Sequence, residues 1–161
     1  YVNLPNSIDA IKDNRFVSID FPYVKLHGSY HWKSHDGSDK MVIGMDKEKQ
    51  IQGEPLLNYY FDCFKEIISK NDIRLFVIRY GFGDEHINKV IADSVQNNNL
   101  KIYVLNPSSP ERFKNDLCNN KPYGGIIWSG ITNYYPYTLS HVFRERNTVG
   151  YKLIQNSYFN S

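Results

Sequence analysis

IRLFVIRYGFGDEHINKVIADSVQNNNLKIYVLNP, residues 73–107, sets two apolar runs on either side of an amphipathic segment. Ile73–Ile78 is nearly all apolar, as expected of a strand covered on both faces. Gly81-Phe82-Gly83 reads as a turn, and Asp84 stands where a helix N-cap belongs. Ile87, Val90, Ile91 and Val95 then mark one helical face, which the triplet Asn97-Asn98-Asn99 ends. Leu100–Leu105 is a second strand, closed by Asn106-Pro107. Strand, helix and strand at this spacing form a βαβ unit, a parallel pair with a right-handed crossover.

Upstream, Pro55 opens a helix reaching Ser69, with Leu57, Tyr60, Phe61, Phe64, Ile67 and Ile68 recurring at three- and four-residue intervals. Before it, Tyr23–His27 reads as a strand stopped by Gly28, and residues 32–40 read as a loop. Phe16–Ile19 reads as a brief strand and the residues after Ser7 as a short helix. Downstream, Ser109-Pro110-Glu111 starts a helix through Leu117. Ile126-Ile127-Trp128 reads as a strand, and Thr138 caps a helix carrying Leu139, Val142 and Phe143. The fold class expected is α/β, three layers around a parallel sheet.

Composition bounds what such a chain can do. Its 161 residues suffice for one domain with a single core. At 41% hydrophobic and 22% charged it is neither disordered nor a membrane bundle. A net charge of +2 does not advertise nucleic acid or an anionic membrane as a partner, so no direct nucleic-acid contact is expected. No apolar stretch is long enough to span a bilayer, and no signal peptide is recognisable. Cys63 and Cys118 alone cannot build a disulfide framework or a four-Cys zinc module, and they fit a reducing, cytoplasmic setting. The 13 Tyr and 9 Phe are scattered among strand-like runs and read as core packing rather than as base-stacking platforms. Because the first residue is Tyr1, the chain is expected to be a piece of a longer protein.

Open parallel sheets bind ligands outside the carboxyl ends of their strands. Three polar turns are expected on that edge: His27-Gly28-Ser29, Gly81-Phe82-Gly83-Asp84 and Asn106. Gly81 and Gly83 remove side chains where a ligand would come closest, although a structural turn is the plainer explanation. Asp84 and Glu85 in the first helical turn would repel a phosphate, so this helix start suits a sugar hydroxyl, or no ligand, better than a pyrophosphate. His27 is the best candidate base, since imidazole titrates near neutrality; a histidine that only braces a loop is the plainer alternative. His27, His31 and His35 are spaced as helical metal ligands, but the Gly and Ser around them argue against a helix, and no metal is expected.

Two blocks carry a family resemblance. LHGSYHW, residues 26–32, resembles the LHGS-x-x-W block of sirtuin-like proteins. FVIRYGFGDEHINKVI, residues 76–91, resembles the block usually written V-I-G-Y-S-F-G-D-E-H-I-N, and IYVLNP resembles the strand whose Asn meets the adenosine ribose. Order and spacing agree over roughly residues 23–107. The chain is most similar to the bacterial sirtuin-like domains of antiphage defence proteins, which hydrolyse NAD to nicotinamide and ADP-ribose.

The resemblance implies that residues 1–161 are the C-terminal part of one Rossmann-like, NAD-binding domain. It implies His27 as the catalytic base and Gly28, Ser29, Gly81, Gly83, Asp84 and Asn106 as nucleotide contacts. NAD enters as substrate, with no metal. The Gly-rich phosphate loop and the Asn-bearing block of the family's N-terminal half match nothing in residues 1–22, so turnover is expected only from the parent protein. Arg79 stands where the family block has Gly, Gly81 where it has Ser or Thr, and His31 where Asn or a small polar residue is common. These departures keep an alternative open, a non-catalytic module that binds a nucleotide or a partner protein. An incomplete sheet would also expose an apolar edge, so self-association or docking to other parts of the parent is expected.

Overall fold

The computed structural model describes residues 2–4, 23–34, 36–145 and 147–160. The helix expected after Ser7 and the strand expected at Phe16–Ile19 lie outside these residues. The chain forms two compact units, Tyr1–Glu66 and Ile67–Ser161.

In the first unit β1 (Val2–Asn3) pairs parallel with β2 (Gly28–Lys33), which pairs antiparallel with β3 (Asp39–Met41). The strand expected at Tyr23–His27 is not formed; β2 begins at Gly28, the residue expected to stop it. The Gly28 amide donates to the Lys25 carbonyl at 3.1 Å, which makes Leu26 and His27 the middle of a turn. The apolar character of this run comes from packing: Val24 and Leu26 lie against a small core of Leu4, Leu56 and Tyr60. The loop expected over residues 32–40 shrinks to 34–38, where Ser34 N donates to Ser38 O at 2.9 Å. Both flanks are strand, tied by the Lys33–Asp39 ion pair. Polar side chains hid this hairpin because its residues are largely exposed or half-buried.

After a short α1 (Lys47–Gln52), α2 (Pro55–Ile68) follows as expected. Pro55 occupies a first-turn position where no amide donor is needed. Leu56, Leu57, Tyr60, Phe61 and Ile68 are buried along its apolar face. Glu54, just before it, is buried; it accepts from Ser34 Oγ at 2.9 Å and lies 3.8 Å from Lys40 Nζ. A carboxylate out of water needs such partners.

The second unit holds the parallel sheet. β4 (Arg74–Ile78), β5 (Lys101–Leu105) and β6 (Ile131–Tyr135) lie side by side in that order, all parallel. α3 (Glu85–Asn98) connects the first pair, so the predicted βαβ unit is present. Asn99 ends α3 in the left-handed conformation, φ 54°, with its amide on Ser94 O. Ser109 caps α4 (Pro110–Asn120), accepting from Arg112 N at 3.3 Å. α5 (Gly124–Ser129) replaces the strand expected at Ile126–Trp128. Three consecutive apolar residues carry no readable period, and here only Ile127 is fully buried. The true strand β6 follows at once, its signal diluted by Thr132 and Asn133.

Thr138 caps α6 (Leu139–Phe143) as expected, and Thr148 caps α7 (Val149–Ile154), which runs on into a π-helical turn, Gln155–Phe159. One sheet face carries Phe76, Tyr103, Leu105 and Tyr135, covered by Val142, Ile154, Tyr151 and Tyr158. On the other, Ile102 and Val104 are fully buried, and the Tyr134 ring meets Phe113 of α4 at 5.1 Å. Among the described residues no helix is long and apolar enough to cross a membrane.

α4 and α5 meet through Gly124: a Cβ there would fall on the Leu117 carbonyl oxygen. Gly124→Ala should therefore cost ~1–3 kcal/mol of stability in urea titrations, as overpacking against backbone does; an unchanged midpoint would refute this close approach.

Candidate functional site

The carboxyl edge of the parallel sheet is closed by two backbone bonds. Arg79 N donates to Leu105 O and Asn106 N donates to Tyr135 O, each at 3.1 Å. The turn after β4, which holds Gly81, Gly83 and Asp84, and Asn106 after β5 therefore follow strands on one edge; the third turn expected there, His27-Gly28-Ser29, instead precedes β2 of a different sheet.

Two non-glycine residues in that turn are left-handed, Arg79 at φ 51° and Phe82 at φ 52°. Such conformations cost about 1–2 kcal/mol and persist only where the surroundings enforce them. At Phe82 the enforcement is burial: the ring is wholly inaccessible, 4.8 Å from the Tyr80 ring and 6.1 Å from that of Phe113. Gly81 and Gly83 on either side are exposed, neither has a positive φ, and among the described residues nothing lies within 4 Å of where a Cβ would stand. The described residues do not require glycine at either position.

Asp84 begins α3 in extended conformation, φ −98°, and its carboxylate makes no capping bond to the helix. Burial first, and then the charge of Asp84, push the Tyr80 phenol well above its ordinary pKa. The protonated phenol donates to Asn88 Oδ1 at 3.3 Å. Asn106 accepts from Ser108 N at 3.0 Å through Oδ1, which orients its amide. Ser108 is held in turn by Tyr134, whose hydroxyl donates to Ser108 O at 2.8 Å. Burial pushes the Tyr134 phenol up to about 12. Sequence reasoning missed Tyr80, Phe82, Asn88 and Tyr134. Of these only Asn88 left a signal, a polar residue inside the apolar stripe of α3.

His27, Gly28 and Ser29 belong to the first unit. His27 is half-buried in the turn before β2, and its carbonyl accepts from Val42 N at 2.9 Å. Gly28, at φ 72°, is a fold requirement: a Cβ there would strike the Lys40 carbonyl. Ser29 Oγ accepts from Lys25 Nζ at 3.3 Å, and that ammonium lies 5.6 Å from the centre of the Trp32 ring and 5.9 Å from that of Tyr23. His31 is exposed on β2 with its ring edge-on to Tyr30, and His35 lies outside the described residues. Among the described residues no group of three or more His, Cys, Asp or Glu could hold a metal ion.

The glycines separate on this evidence into two kinds. Gly81→Ala and Gly83→Ala should leave thermal stability unchanged or raise it by about 0.4–1 kcal/mol. Gly28→Ala should lower it by ~1–3 kcal/mol; melts that fail to separate the two kinds would refute the distinction.

No family model matches the chain, no curated protein matches it, and no solved structure matches it.

Proposed function

We propose that this chain is the C-terminal part of a sirtuin-like domain with a Rossmann-like sheet, and that the protein hydrolyses NAD to nicotinamide and ADP-ribose. The observation that carries the reading is local. The family block has Gly before Tyr; this chain has Arg79 there, and its φ of 51° lies in the region that glycine favours. The backbone there is one that a glycine, the residue of the family block, adopts without strain, although the side chain differs. Further support is the open space beside Gly81 and Gly83 at the end of a parallel strand.

In this reading the exposed glycines let a nucleotide approach the turn backbone. Asp84 accepts a hydrogen bond from a ribose hydroxyl, and Asn106 lends its amide to the adenosine ribose. His27 takes a proton from a ribose hydroxyl or from water as the bond to nicotinamide breaks. The carbon left behind is oxocarbenium-like; the oxygen that gives up its proton to His27 carries the negative charge that offsets it, and water adds to the carbon to complete ADP-ribose. Defence of a prokaryotic cell by NAD depletion is the biological role this chemistry would serve. A second reading, a module that binds a nucleotide without cleaving it, is favoured by Arg79 itself, an exposed guanidinium where the family has no side chain.

The test is nicotinamide release from NAD by the full-length protein, wild type beside His27→Ala. A folded His27→Ala protein should lose at least about 100-fold in rate, the usual worth of a positioned base. Release that persists at the wild-type rate removes His27 from the chemistry. Binding of ADP-ribose without any release from wild type would favour the second reading.

A further inference from the structure

Asn88 uses both ends of its carboxamide inside the parallel-sheet unit. It is 0% exposed, in the second turn of α3. Its Nδ2 donates to Phe82 O at 2.8 Å and to Pro122 O at 3.0 Å, and its Oδ1 accepts from Tyr80 OH at 3.3 Å. Its backbone amide donates to Asp84 O at 2.9 Å. One carboxamide therefore grips the turn after β4 at both ends of its centre and ties it to the loop between α4 and α5.

The turn needs such a grip. Phe82 is left-handed and flanked by two exposed glycines that nothing touches on the Cβ side. Glycine leaves the backbone free on both sides of Phe82, so the conformation of residues 81–83 must be set from outside. The Phe82 ring is set by its pocket, and the Phe82 carbonyl is set by Asn88. A buried, fully satisfied amide network of this kind selects one arrangement over its neighbours.

We propose that Asn88 is the positioning residue of the candidate nucleotide site: it holds Gly81-Phe82-Gly83-Asp84 in one preformed conformation, so that ligand binding does not have to order the turn. The inference rests on the reading of this edge as a nucleotide site, and it assigns no contact between Asn88 and the ligand. Ordering a flexible loop on binding lowers affinity, and holding it in advance removes that cost.

The experiment compares Asn88→Ala, Tyr80→Phe and a control, Ile127→Ala, in the full-length protein. Ile127 is equally buried, in α5, and none of the bonds that hold the turn involves it. Affinity for ADP-ribose is measured by calorimetry at a temperature where all variants are folded, and amide hydrogen exchange is followed at residues 81–84. Asn88→Ala should weaken binding about tenfold or more and speed exchange in the turn while the rest of α3 stays protected. Tyr80→Phe should do the same to a smaller degree, and it serves alone if Asn88→Ala does not fold. Ile127→Ala should lower stability without changing either readout. Unchanged exchange at 81–84 in folded Asn88→Ala or Tyr80→Phe would overturn the proposal, as would an equal loss of affinity in Ile127→Ala. Absence of ADP-ribose binding by wild type would instead remove the nucleotide reading, and the exchange data would still decide whether Asn88 holds the turn.

Discussion

β5 is covered on both faces, and most of the second unit follows from that. Ile102, Val104 and Leu105 are wholly buried and Tyr103 nearly so. Its neighbours are parallel, so hairpins cannot join them, and a strand with no wet face needs cover on both sides of the sheet. The crossover through α3, the packing of α4 beneath Tyr134 and the return of α6, α7 and the π-helical turn over Tyr103 and Leu105 all satisfy that demand. The same connections gather the turns after β4 and β5 on the carboxyl edge. The location of the candidate site is thus a consequence of burying one strand.

Glycines tell apart the parts of the chain that serve the fold from those left available for something else. Gly28 and Gly124 sit where a side chain would meet a backbone carbonyl. Gly81 and Gly83 face open space with ordinary backbone angles. Between them Phe82 carries the strained backbone that glycine would have relieved, and it is pinned by its ring and by Asn88. Rigidity at the centre and openness on both sides suit a surface that meets a ligand in a fixed shape.

The central βαβ unit was legible because its two apolar runs and the Ile87–Val95 periodicity are strong, local signals. The helix starts at Asp84, Ser109 and Thr138 were legible for the same reason, although only Ser109 and Thr138 cap with their side chains. The hairpin of the first unit was not, since Tyr30, His31 and Asp39 are exposed and its strands lack an apolar alternation. Tyr23–His27 misled in the opposite sense, its apolar residues packing from a turn rather than from a strand. At the site, Gly81, Gly83, Asp84 and Asn106 could be placed on one edge from topology alone. The hydrogen bonds from Asn88 to Phe82 and Pro122, and from Tyr134 to Ser108, could not, because they join residues far apart in sequence.

The most direct measurement is a crystal structure of the full-length protein with ADP-ribose. The account predicts a ribose against the backbone of Gly81-Phe82-Gly83, with Asp84 and Asn106 within hydrogen-bonding distance of the ligand and the turn unmoved. Ligand bound elsewhere, or no ligand at a saturating concentration, would contradict it.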